Sequence, residues 1–394
     1  MRTTKRQLRS VEIFTGAGGL AIGTHLAGFE HQALVEREAN ACNTLEYNIR
    51  ANSLPRIGHW GGKLHRGDVR GIRFSQFGEV DLVAGGPPCQ PFSIGGKHRG
   101  LEDTRDMIPQ FIRAVREAQP RAFIMENVKG LLRQSFQAYF SYALYRLQYP
   151  MLEKREAEGW EQHLARLEDV HTSGHYDGPR YRVVPRLLNA ANYGIPQTRE
   201  RVFLVGFRAD TDIEWHFPEA SHSLDALLYQ QWVSGHYWKR CHTAAPSAAS
   251  KRWQGRIKRL ARGNPPRLKA WRTVREAICD LPDPRGLDHG LANHRYQPGA
   301  RTYKGHTGSP LDLPAKTLKS GVHGVPGGEN MIAFPDGGVR YFTAREAARI
   351  QTFPDSWVFE GAWSETMRQL GNAVPASLAN LVAASVAAKL VDSP

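Results

Sequence analysis

One thiol in this chain stands on ground unsuited to a core residue. Gly85-Gly86-Pro87-Pro88-Cys89-Gln90-Pro91-Phe92-Ser93 follows an apolar run at 80–84. Its prolines fix backbone angles and remove donors, so the loop is stiff. A cysteine held on such a loop reads as a nucleophile rather than as the small buried hydrophobe that a lone cysteine commonly is. A thiol of ordinary pKa, ~8.5, is mostly protonated near neutral pH, and a neighbouring arginine would lower that value. Glu126, in Glu126-Asn127-Val128, closes a second apolar run at 122–125. A carboxyl group at a strand end is commonly solvated. Withdrawn from water beside a nucleophile, it can hold and deliver a proton.

A third constellation binds rather than reacts. Phe14-Thr15-Gly16-Ala17-Gly18-Gly19-Leu20 lies between a strand-like run and a helical one, and Gly16, Gly18 and Ala21 satisfy G-x-G-x-x-A. Glycines admit a ligand close to the backbone, and a helix N-terminus favours negative charge. Glu36 follows Gly16 by twenty positions, where an acid that receives ribose hydroxyls is expected. The pair predicts an adenosine-containing ligand. It fits a nicotinamide dinucleotide as well as S-adenosylmethionine. Asp68, in Gly67-Asp68-Val69, either meets the adenine edge or caps a turn.

The elements that must position these groups alternate. Strands are expected at 11–14, 32–35, 80–84 and 122–125, and helices at 20–27, 38–49 and 108–118. That is the pattern of a parallel α/β sheet, whose strand carboxyl ends form a ligand crevice. Residues 133–180 read as an irregular insertion with a helix at 151–167. Two more strands are expected at 182–188 and 202–207. The catalytic and cofactor-binding domain is thus expected at 1–208, a smaller loop-rich domain at 209–338, and a return segment at 339–394. Pro375 suits a first helical position, and Leu378, Val382, Val386 and Leu390 form an apolar stripe that needs the first domain as its partner.

Hydrophobic residues make up 41% of the 394, a globular value, and 52 Lys and Arg against 38 Asp and Glu leave +14. That excess suits a polyanionic partner. It is concentrated at 251–275, which holds ten Lys or Arg and no Asp or Glu, with Trp232, Tyr237, Trp238, Trp253 and Trp271 in or just before it. The four cysteines are few and scattered, which favours a reducing compartment over a disulfide framework. Neither a signal peptide nor a membrane span is expected, and the cytoplasm is the expected location. Cys241, Cys279, His289 and His294 match no common zinc spacing, so no metal is expected.

These pieces together resemble the bacterial C5-cytosine DNA methyltransferases of restriction-modification systems. The resemblance rests on the glycine turn, the Pro-Pro-Cys loop, Glu126-Asn127-Val128, Gln197-Thr198-Arg199-Glu200-Arg201, the stretch 340–354 with Thr343-Ala344-Arg345-Glu346, and Gly371-Asn372-Ala373-Val374-Pro375. Six matches in family order, spread over positions 11–376, are specific. Segments 133–180 and 210–335 are outside it, and Pro109, at a helix start, departs slightly.

The resemblance implies a Rossmann-like sheet, S-adenosyl-L-methionine as cofactor, and double-stranded DNA bound by a monomer. It implies Cys89 as nucleophile, Glu126 as acid, Arg201 at the cytosine and Arg199 in support. Cofactor contacts would come from residues 14–20, Glu36, Asp68, Val69, Pro88, Asn372, Ala373 and Val374. Gln90, Ser93, Thr317, Leu318 and Arg345 would meet DNA, with 209–338 as the target-recognition domain. A cognate endonuclease is the usual companion. The rivals are an RNA cytosine methyltransferase on the same frame, a nicotinamide oxidoreductase and a non-catalytic DNA-binding regulator.

Overall fold

The computed structural model describes residues 6–88, 106–286, 290–321 and 330–392. By contacts the chain divides into two compact units, one of residues 1–188, 200–218 and 379–394, the other of 189–199 and 219–378.

In chain order, the elements of the first half are β1 (Leu8–Ile13), α1 (Gly19–Leu26), β2 (Phe29–Glu36), α2 (Ala39–Ala51), β3 (Leu64–Arg66), β4 (Leu82–Gly85), α3 (Ile108–Ala118), β5 (Ala122–Val128), α4 (Gln137–Gln148), α5 (Trp160–Ser173), β6 (Tyr181–Asn189), β7 (Gln197–Thr198) and β8 (Glu200–Arg208). Seven strands form one sheet in the order β3-β2-β1-β4-β5-β8-β6. From β3 to β5 neighbouring strands run parallel, and β8 closes antiparallel on β5. The chain leaves β1 toward β2 on one side and later returns to β4 on the other. That reversal opens a crevice at the strand carboxyl ends.

Strands covered on both faces read as continuous apolar runs. Leu82, Val83 and Ala84, like Ala122 to Met125, are fully buried. Val11, Ile13, Val83, Phe111, Val115, Phe123 and Met125 share one core cluster. On α1, Gly23 lies so near the last helix, α12 (Ala376–Asp392), that a Cβ there would sit 2.4 Å from that of Ala379. Val382, Ala383, Val386 and Leu390 of that helix are buried.

The segment 133–180 is more regular than expected. It holds two helices, and the second begins at Trp160 rather than near 151, because Pro150 disfavours continuation of α4 and Gln162 accepts the Gly159 amide at 2.9 Å to start a new turn. Tyr142, Tyr149 and Leu167 join them in a small core of their own.

The second unit carries α6 (Leu224–Trp232), α7 (His236–Arg240), α8 (Lys251–Arg262), α9 (Val274–Ile278), α10 (Ala344–Ile350) and α11 (Trp363–Asn372) among short two- and three-residue strands. Leu227, Tyr237 and Trp238 anchor one of its clusters. α10 starts on a capping box. Thr343 accepts from the Glu346 amide, Glu346 accepts from the Thr343 amide, and Arg340 grips the Glu346 carboxylate with two bonds of 2.6 Å.

The helical stretch Trp363–Asp392 is long and apolar enough by composition to cross a bilayer, yet 56% of its most apolar window is buried inside the protein and residues 373–375 interrupt it. It therefore satisfies its apolar side chains within the fold.

Candidate active site

At the end of β1 the chain makes a strained turn. Phe14 has φ 57, Gly16 φ 56 and Gly18 φ 95. Left-handed backbone is costless for the glycines and unfavourable for Phe14, the kind of strain that collects at ligand sites. Thr15 fastens the turn to β2 through the Val35 carbonyl, and the Gly16 amide donates to Glu36 Oε2 at 2.7 Å. Glu36 Oε1 accepts the amides of Arg37 and Glu38 at 2.8 and 2.7 Å. Three backbone donors thus fix this carboxylate, and one lone pair, on Oε2, remains for a hydroxyl. Ala17 and Leu20 are buried beneath the turn, and among the described residues no side chain caps the α1 N-terminus that opens at Gly19. A Cβ added at Gly16 would meet nothing within 4 Å. The open turn, the amide end of α1 and the fixed carboxylate fit a ribose with a charged small-molecule tail.

Of the two readings of Asp68, the structure presents the turn cap. Its carboxylate accepts the Arg70 amide and the Arg70 guanidinium at 2.7–2.9 Å, and Arg70 holds it well below the usual carboxylate range. Gly67 donates to the Glu36 carbonyl, so this turn abuts the end of β2, and Val69 is buried.

Cys89, Gln90 and Ser93 lie outside the described residues, as does His289. The approach to Cys89 is firmly set. Gly85 packs so tightly on β1 that a Cβ would fall 2.5 Å from the Ile13 carbonyl oxygen. Asn127 donates to the Pro87 carbonyl at 3.2 Å, and the Met107 amide to that of Pro88 at 3.2 Å. Asn127 was not singled out by sequence as a tether, and only its place beside Glu126 hinted at one.

Glu126 stands on β5 beside that loop, and a Cβ on Gly86 would lie 3.1 Å from its Oε2. Val128 pairs with Arg201 and Glu126 with Phe203 across β5 and β8. This register puts Glu126 and Arg201 on one face, two residues out of step, where long side chains meet. Arg201 Nε is 2.9 Å from Glu126 Oε1, with side chains 14% and 9% exposed. Burial pushes the Arg201 guanidinium down, and Glu126 opposes that shift.

Among the described cysteines, burial pushes the Cys42 thiol up to about 11 and raises that of Cys241, whereas Cys279 is exposed. Neither Cys42 nor the half-buried Cys241 is disposed to ionise.

Arg199 belongs to the second unit. Fully buried, it donates to the carbonyls of Leu318 at 3.0 Å and Gly371 at 2.7 Å. Gln197 joins Gln351 at 3.0 Å and accepts the Leu318 amide, and Thr317 donates to the Thr198 carbonyl. The Gln197–Gln351 pair spans 154 positions and left no local pattern to find. Gly371 closes on Ser320 too tightly for any side chain, and Ala373 and Val374 follow the exposed Asn372 at the end of α11.

Two residues expected at DNA are internal, which corrects that expectation for them. Arg345 is fully buried and donates to the carbonyls of Ala292, Pro354 and Trp357. Leu318 is 1% exposed. A guanidinium spent on three carbonyls has few donors left for phosphate or base.

A profile of the family described as C-5 cytosine-specific DNA methylase matches residues 8–149 and 151–388. The Type II methyltransferase M.AplI of Arthrospira platensis is 30% identical, with 98% of this chain and 88% of that protein covered. For the Type II methyltransferase M.Eco47II of Escherichia coli the identity is 31%, over 95% of this chain and 78% of that protein. The methyltransferase EhMeth of Entamoeba histolytica has the same fold, with a TM-score of 0.56 at 13% identity over 98% of this chain and 99% of that one. The seven-stranded sheet with a glycine turn and a carboxylate on its ligand edge is Rossmann-like, and the family match makes it that of a methyltransferase. Within that class, the chain belongs to the C-5 cytosine-specific DNA methylases. It is a DNA (cytosine-5) methyltransferase, and its methyl donor is S-adenosyl-L-methionine. The nicotinamide cofactor that the glycine turn alone leaves open is thereby set aside.

Proposed function

We propose that Cys89, Glu126 and Arg201 carry out the reaction, on a cytosine turned out of the DNA stack. Cytosine C5 is too weakly nucleophilic to take a methyl group unaided, so the ring must first be made electron-rich. The Cys89 thiolate adds to C6, and Glu126 places a proton at N3, which keeps charge from building on the ring. C5 then takes the methyl group. A base, for which a water suffices, removes the C5 proton, the Sγ–C6 bond breaks to release Cys89 as thiolate, and N3 returns its proton to Glu126. Arg201 donates to the cytosine O2 while its Nε side steadies Glu126. Arg199 acts as a positioning residue through the Leu318 and Gly371 carbonyls.

S-adenosyl-L-methionine supplies an electrophilic methyl group on a sulfonium. The turn 14–20 would take it, with Glu36 toward the ribose hydroxyls, and Asp68, Val69 and Pro88 flank that ground from neighbouring strand ends. Asn372, Ala373 and Val374 are further candidates for contact.

The observation that carries this reading is Glu126, paired at 2.9 Å with Arg201, beside the loop that delivers Cys89. Base flipping costs roughly a few kcal/mol, and Gln90 and Ser93 would fill the vacated place. The second unit reads the target, with Thr317 near the reading segment and its Lys and Arg on phosphates. The Type II names of the relatives support a role in protecting host DNA beside a cognate endonuclease; a monomer at work in the cytoplasm belongs to the same proposal.

Bisulfite sequencing of plasmid DNA from cells that express the chain tests this reading. A fixed sequence context of protected cytosines is expected with the wild type and none with Cys89→Ser. Equal protection by the serine variant would overturn it.

A further inference from the structure

The second unit holds a cavity of about 760 Å³ whose walls include Trp232, Trp238, Trp253, Trp271, Arg252 and Lys316. Among the described residues, neither Glu126 nor Arg201 lines it. Resting on the reading of this chain as a DNA-modifying enzyme, we propose that this cavity receives an unstacked nucleobase of the bound DNA strand, at a place separate from the reacting cytosine.

The rings are set in place by the fold. Trp238 Nε1 donates to the Gln231 carbonyl at 2.6 Å and Trp271 Nε1 to Asn192 Oδ1 at 3.1 Å. Trp232 and Trp238 meet edge to face at 5.9 Å. Trp238 is buried, and the half-buried Trp232, Trp253 and Trp271 give the cavity its aromatic wall. A cavity of this size accommodates a nucleoside, since small-molecule sites run roughly 300–1,000 Å³.

Charge selects among flat apolar ligands. α8, which brings Arg252 and Trp253, has six Lys or Arg and no Asp or Glu in twelve residues, and none of them is buried. Arg256 anchors it to Asp225 at the start of α6. The Arg252 guanidinium lies 4.4 Å over the Trp253 ring. A cage of tryptophans can hold an organic cation, but here the surrounding positive charge repels one. A base with a phosphate on either side satisfies both features: the ring stacks and the backbone meets the basic helix. Bases paired within a duplex cannot enter, so the ligand is an extrahelical or single-stranded base.

The full-length protein should be titrated with a fluorescent twelve-nucleotide oligothymidylate and with an abasic strand of the same length. Wild type should bind the base-bearing strand about tenfold or more tightly, the scale of one stacked base. Trp253→Ala should bring the ratio to within about twofold, and Trp253→Phe should restore most of it. An unchanged ratio in Trp253→Ala, or no preference in the wild type, overturns the proposal. So does a polyglutamate peptide that binds wild type and fails to bind Trp253→Ala, since the cavity would then belong to an acidic protein segment. Methyl transfer to plasmid duplex, followed in the same preparations, keeps the two readings apart. A wild type that methylates DNA and ignores bases loses only this cavity, whereas one that fails to methylate bears on the reaction and leaves the base preference to decide the cavity.

Discussion

Glu126 and Arg201 form a nearly dry ion pair, each with a second task to perform on the substrate. Replacing Glu126 with Gln keeps the shape and removes the carboxyl group that exchanges a proton with N3. Transfer of tritiated methyl groups to duplex DNA should fall by about 10²–10⁴-fold, the range for a positioned acid, while affinity for S-adenosylmethionine in calorimetry stays within about twofold. An unchanged rate would remove Glu126 from the reaction. A different residue contributes to acid stability. His31 is fully buried between Ser10 and the Ala21 carbonyl, at 2.9 and 3.1 Å, and burial pushes its imidazole down to about 3. A depressed folded value means that the neutral ring contributes stability above the unfolded pKa of about 6.5, and that this is lost as pH falls toward 3. Melting temperature should therefore drop through that window in the wild type, and the slope should flatten in His31→Gln. Equal slopes would show that other groups control the acid limb.

α1 depends on a missing side chain. A Cβ at Gly23 would lie 2.4 Å from Ala379 Cβ and 2.5 Å from the Asn380 amide nitrogen. Gly23→Ala should part α1 from α12 and lower the urea midpoint by an amount equivalent to about 1–3 kcal/mol. It should also weaken cofactor binding, because the glycine turn rides on this helix. No change in either would place the tolerance of this contact well beyond its geometry. Much of this half was legible in sequence. The turn 14–20, the distance to Glu36 and the apolar runs that end at Gly85 and Glu126 are local patterns with direct physical causes, and the sheet places those segments at one edge. The second unit was less legible. Its strands are two or three residues long, and it is held by pairs such as Gln197–Gln351 and Arg199–Gly371. Such contacts join distant positions, so spacing cannot announce them. Arg345 shows the same limit. The family resemblance set it at nucleic acid, whereas its neighbours Thr343 and Glu346 already spelled a helix start, and the fold turned the guanidinium inward to bind carbonyls.

The whole chain carries +14, with the basic run 251–275 confined to one unit. If that run meets phosphates, the logarithm of DNA affinity should fall linearly with the logarithm of salt, by about 0.9 for each phosphate neutralised. Arg259→Ala on the exposed face of α8 should shallow the slope by about one in filter binding. A slope unaffected by such changes would move the phosphate contacts elsewhere. The proposed reaction turns on the covalent step. Duplex DNA with 5-fluorocytosine in place of cytosine blocks the last proton removal, since fluorine cannot leave C5 as a proton does. With S-adenosylmethionine present, the protein should become permanently joined to such DNA, and peptide mass spectrometry should find the bond at Cys89. Absence of any adduct, in a preparation that binds the methyl donor and methylates ordinary duplex, would contradict it.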